Sequence, residues 1–143
     1  MAASTAARAT FHDQDSLLGG VELKAAGLVA ASAQGSGVTL GKGRYLIECT
    51  TTAVEIDTND EVYSVNLEAN TAAATSTWYN IGTVALFGAT EITGQKDSGA
   101  AETTYMIVEN PYDNQVRYSI GVAGTIATGI NIAIKAYPIH EKK

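Results

Sequence analysis

The chain is short of the residues from which most chemistry is built. Its 143 residues include one cysteine, two histidines, one tryptophan and two prolines. A single cysteine excludes an intrachain disulfide and a cysteine-rich zinc site. Cys49 lies in the strand-like run RYLIECT with no histidine near it, so it reads as a small buried hydrophobe rather than a nucleophile. His12 and His140 stand near opposite ends, and no G-x-S-x-G is present, so a hydrolytic triad has no positioned base. The same two histidines cannot supply the clustered ligands of a cupin-type metal centre. No cofactor is expected.

Positive charge is also scarce. Nine Lys and Arg are scattered among fifteen Asp and Glu, for a net charge of −6. Direct binding to a phosphate backbone wants a basic stripe, and none is visible, so nucleic acid is not expected as a direct partner. No apolar run approaches the ~18 residues that a spanning helix needs, and MAASTAARAT has no apolar core. Neither a membrane helix nor a secretory signal is therefore expected.

Two stretches resemble ligand motifs and fail to match them. GSGVTLGKGR is glycine-rich and carries Lys42, but it matches neither phosphate-loop pattern and reads as turn chemistry before a strand. DTNDEVYSVNLE puts Asp57, Asn59, Glu61 and Glu68 at EF-hand-like places. Its sixth residue is Val62, where that loop needs glycine, and its flanks read as strands. The bland reading is a turn with solvated acids; a weak surface cation on Asp57, Asp60 and Glu61 stays open. Paired carboxylates for glycoside cleavage can be assembled anywhere in a β-sandwich and stay open too.

What the chain does have is alternation. From Ser16 onward the dominant period is two, with no helical stripe apart from a possible single turn in TAAATSTW. Strands are expected near Val21 to Leu23, near Val38 to Leu40, through Tyr45, Ile47 and Cys49, and at Val54 and Ile56. EVYSVNLEA places Tyr63, Val65 and Leu67 on one face. STWYNIGTVALFG is less regular, and TYMIVEN is a short apolar run stopped by Asn110-Pro111. Val116, Tyr118, Ile120 and Val122 share a face, as do Ile130, Ile132, Ile134 and Ala136, with a loop of small residues from Ala123 to Gly129 between them. The fold class expected is all-β: an antiparallel β-sandwich of jelly-roll type with about eight strands. Residues 1–15 read as a flexible N-terminal arm, 16–138 as the sandwich, and 139–143 as a tail.

The order of these runs resembles the jelly-roll cement, or decoration, proteins of tailed-bacteriophage capsids. The features that carry the resemblance begin with TNDEVYSVNLEAN, where Asp60-Glu61 opens a strand. WYNIGTVALFGAT follows, and then YMIVENPYDNQVRYSIGVAGTIATGINIAIKAYP. The last matches best, with Asn110 after an apolar strand, the Arg117-Tyr118 pair, VAGT at Val122 to Thr125, and the closing Ile-Asn-Ile strand. The match covers Val54 to Pro138 well and Gly41 to Cys49 loosely; the arm and IHEKK lie outside it.

The resemblance implies a noncatalytic virion subunit, made in the host cytoplasm, that binds the capsid exterior. Its partners would be the major capsid protein and itself, as a homodimer or homotrimer. A rigid sandwich with few ionisable groups suits such a strut, and repeated copies give avidity from modest contacts. Candidate capsid or intersubunit contacts are Phe11 and His12 in the arm, Trp78, Tyr112 after the Asn110-Pro111 turn, and Arg117. Trp78 reads most simply as packing, Tyr112 as an exposed aromatic on a turn, and Arg117 as a solvated charge or an ion pair across a contact. The alternative is a carbohydrate- or receptor-binding module of a viral fibre, which would need Trp78-Tyr79 or Tyr112 exposed in a concave site.

Overall fold

The computed structural model describes residues 20–56, 60–88 and 102–139. The strands are β1 (Val21–Val29), β2 (Ala33–Gln34), β3 (Val38–Thr39), β4 (Gly43–Val54), β5 (Val62–Thr71), β6 (Ala74–Gly88), β7 (Glu102–Asn110), β8 (Gln115–Ala123) and β9 (Ile130–Pro138). They form two antiparallel sheets, ordered β1-β9-β4-β7 and β2-β8-β5-β6, with β3 also on β8. The fold is a β-sandwich, and no helix occurs among the described residues.

The chain passes between the sheets at every connection except β2 to β3 and β5 to β6. β2 and β3 pair with successive stretches of β8 and act as one interrupted strand. The order is compatible with the jelly-roll expectation. The arm of residues 1–15, with Phe11 and His12, lies outside the described residues, as does His140.

Alternation puts the core where the sequence pattern directs it. Ile130, Ile132, Ile134 and Ala136 of β9 are fully buried, facing Tyr63, Val65, Leu67 and Ala69 of β5 and Val116 and Ile120 of β8. Burying each isoleucine contributes about 1.5–3 kcal/mol relative to exposure. Cys49 is wholly buried, and burial pushes its thiol up to about 12, which keeps it protonated and inert.

Several expected boundaries change. The first strand runs nine residues, because β1 follows β9 from Val21 opposite Ala136 to Val29 opposite Ile130. The two runs expected around Cys49 and Val54 are one twelve-residue strand, β4, bent by a register shift between Thr51 and Ala53. TAAATSTW forms no helical turn. Thr71 pairs with Ala74 in a hairpin, and the Thr71 hydroxyl accepts the Ala74 N–H at 3.1 Å.

The loop from residue 123 to 129 is not slack. Glu55, placed by the end of β4, lies under it with 8% of its surface exposed. Its carboxylate accepts the backbone N–H groups of Ala127, Thr128 and Gly129 at 2.7–3.0 Å, together with the Thr128 hydroxyl at 3.2 Å. Those backbone donors, Gly129 foremost, hold the Glu55 carboxyl below its ordinary range. At the other end Asp60 accepts the Thr125 N–H at 3.0 Å and its hydroxyl at 2.8 Å. Gly124 and Gly129 adopt φ of +100° and +92°, and a Cβ on either would press on backbone atoms of residues 60–61 or 29–30.

Candidate functional site

Of the five candidate contact residues, Arg117 and Trp78 meet on one face beside the β5–β6 hairpin, and Tyr112 lies against Tyr79 on the other. Register places Glu68 of β5 directly opposite Arg117 of β8 and beside Asn80 of β6. The Arg117 Nε donates to Glu68 Oε1 at 2.7 Å, and the guanidinium carbon sits 4.2 Å above the centroid of the Trp78 ring. One arginine therefore ties three adjacent strands together on the outer face of their sheet. The side chains of Arg117 and Glu68 are only 17% and 19% exposed, so the pair is screened less than a fully solvated one.

Within the chain Arg117 is therefore paired and stacked rather than a lone solvated charge. Its partner is Glu68 of the same chain. Trp78 is half-buried with one ring face under the guanidinium. That face of the ring is covered by the guanidinium and is not free to stack another group.

Tyr112 is half-buried rather than exposed at its turn. Its ring lies 5.5 Å from that of Tyr79, tilted by 46°. Tyr79, opposite Ala69, points to the other side of β6 from Trp78 and is 44% exposed.

Two asparagines bring the turn there. Asn110 Oδ1 accepts the Tyr112 N–H at 3.1 Å, and its amide donates to the carbonyls of Leu40 and Gly41 at 3.2 and 3.3 Å. Asn70 is fully buried at the end of β5. Its amide donates to the Thr75 carbonyl at 2.9 Å and to Gln115 Oε1 at 3.2 Å. Its carbonyl accepts from the Asn114 side chain at 2.8 Å and the Gln115 N–H at 3.0 Å. Both donors and both lone pairs are in use, so the hairpin and the 111–114 turn are locked as one unit.

The acidic turn is also redefined. Asp57 and Asn59 lie outside the described residues, Asp60 holds Thr125, and Glu61 is fully buried with its carboxylate accepting the Asp60 N–H at 3.2 Å. No group of three His, Cys, Asp or Glu gathers in metal-binding geometry among the described residues.

A second surface was not anticipated. On the outer face of the four-stranded sheet, register lines up Glu22, Lys135, Glu48 and Tyr105 across β1, β9, β4 and β7. The Glu48 carboxylate accepts the hydroxyls of Tyr137 at 3.2 Å and Tyr105 at 3.4 Å. Desolvation, reinforced by Glu48, raises the Tyr137 phenol above its ordinary value. The signal available in the sequence was the short apolar run TYMIVEN, which does not say which strand lies at a sheet edge.

Glu55 and Asn70 went unselected in the sequence, and Glu68 was read only as an EF-hand-like position, because each acts through a partner 45 or more residues away. This chain matches no known protein-family model and no curated protein.

Proposed function

We propose that the protein is a noncatalytic capsid cement subunit that binds the exterior of a tailed-phage head and braces it by bridging major capsid proteins. The observation that carries this reading is the rigid treatment of the segment with the strongest resemblance. β8 and β9 each lie between neighbours in their sheets, and the loop joining them is clamped by Glu55 and Asp60. A strut must resist shear, and a sandwich whose loop carboxylates and turn asparagines are bound to backbone has few soft joints.

The capping groups of Glu55, Asp60 and Asn70 serve the fold itself, and Arg117 is stacked and paired within the chain. Contacts with a shell would then come from the remaining outer faces and from the arm carrying Phe11 and His12. Repeated copies on a symmetric shell would multiply weak contacts into tight decoration.

The test is sedimentation of purified protein with undecorated heads. Saturation at a fixed ratio to capsid subunits is expected, and failure to co-sediment overturns the reading. Binding on a glycan array without head binding would favour the fibre-module alternative.

A further inference from the structure

The two sheets end in four edges, and three of them are protected. β1 has two register shifts against β9, and Lys24 donates to the Ile132 carbonyl at 3.2 Å within that irregular stretch. β6 has three register shifts against β5. The edge beside β8 is split into β2 and β3, two residues each. Bulges, lysine and short length are the usual devices that stop sheets from joining edge to edge.

The fourth edge, β7, has none of them. It pairs with β4 in unbroken register from Glu102 to Asn110, and β4 is its only strand partner among the described residues. Its sequence ETTYMIVEN contains no lysine, proline or glycine. Tyr105, Met106 and Ile107 are 58%, 38% and 50% exposed, so three of the five large exposed hydrophobics among the described residues stand consecutively on this strand. An open, regular, apolar edge is a template for an added strand.

The strand is suited to pair with itself. Met106 is the central residue of β7. In an antiparallel pairing about a two-fold axis at Met106, Tyr105 meets Ile107 of the other copy, twice. This is an aromatic and β-branched pair on the outer face. Thr104 then meets Val108, Thr103 meets Glu109, and Glu102 meets Asn110. In a chain of net charge −6, this register brings neither glutamate opposite an acid. We propose that β7 is a self-association edge through which two copies of this chain pair antiparallel about Met106, joining their four-stranded sheets into one of eight. The pairing is isologous and closes at two. It does not rest on the capsid reading.

The experiment measures mass by light scattering and sedimentation velocity in the absence of any capsid. The unmodified chain is expected to be a dimer. Met106→Lys, which sets two ammonium groups against each other at the axis, and Ile107→Lys should each shift the dimer–monomer midpoint at least ten-fold in concentration. Far-UV circular dichroism checks that both variants remain folded. A second measurement keeps the test independent of stability. Met106→Cys should oxidise rapidly to a covalent dimer, while Leu28→Cys, on the β1 edge, should not. A protein that stays monomeric at every concentration overturns the proposal, and slow amide exchange along 103–109 in that monomer would assign the edge to a segment of the chain itself. A trimer, or a dimer indifferent to both lysine substitutions, overturns it as well.

Discussion

Glu55 and Gly129 hold each other twice. The Glu55 backbone N–H donates to the Gly129 carbonyl at 3.1 Å, and the Glu55 carboxylate accepts the Gly129 N–H at 2.7 Å. The carboxylate also gathers the two preceding amides, so the loop between β8 and β9 is built around an anion.

Stability should therefore fall on the acid side through Glu55. The folded carboxyl is held below its ordinary value, so the unfolded chain takes up the proton first. The contribution is complete above the unfolded value of about 4.3 and is lost as pH falls through the lower folded value. Thermal unfolding between pH 3 and 7 should show this descent. Glu55→Gln should lower Tm at pH 7 and flatten the acid limb; an unchanged limb would show that Glu55 is not the group responsible.

Gly129→Ala should be strongly destabilising. The residue sits at φ +92°, and an added Cβ would collide with the Val29 carbonyl oxygen. The expected cost is on the order of 2–3 kcal/mol or more by denaturant unfolding. Gly27→Ala is the control. Its Cβ would meet only Lys24 Nζ at 3.7 Å and the Ala25 carbonyl at 4.0 Å, and its stability should change by less than about 0.5 kcal/mol.

Arg117→Ala should cost about 1–2 kcal/mol, combining a partly buried ion pair with the cation–π contact to Trp78. Arg117→Lys should recover only part of it, because a lysine keeps the charge and loses the planar stack. Trp78 is the sole tryptophan, so a shift of its fluorescence in Arg117→Ala reports the uncovered ring directly. A double-mutant cycle with Glu68→Ala that gives no coupling would remove the ion pair from this account.

Thr51→Val should stabilise the protein by about 1 kcal/mol. The Thr51 hydroxyl is fully buried and has no hydrogen-bond partner among the described residues, as is true of the Thr104 hydroxyl. Valine has nearly the same shape and leaves no orphaned polar group. A drop in Tm would mean that the hydroxyl has a partner.

By itself the sequence determined the class of the fold and most of its inward-facing residues. Ile130, Ile132 and Ile134, or Tyr63, Val65 and Leu67, are legible because a strand turns successive side chains to opposite faces and water sorts them. It also determined that no intrachain disulfide can form, since the chain has one cysteine. Register was not determined there, and register decides function at the surface. Arg117 finds Glu68 and Trp78 only once β8, β5 and β6 lie side by side, and Glu55 becomes a loop clamp only once β9 returns beside β4. TYMIVEN reads as any half-buried strand until sheet order places it at an edge. Pairing between segments far apart in the chain is set by the packing of the whole core, which no local pattern encodes.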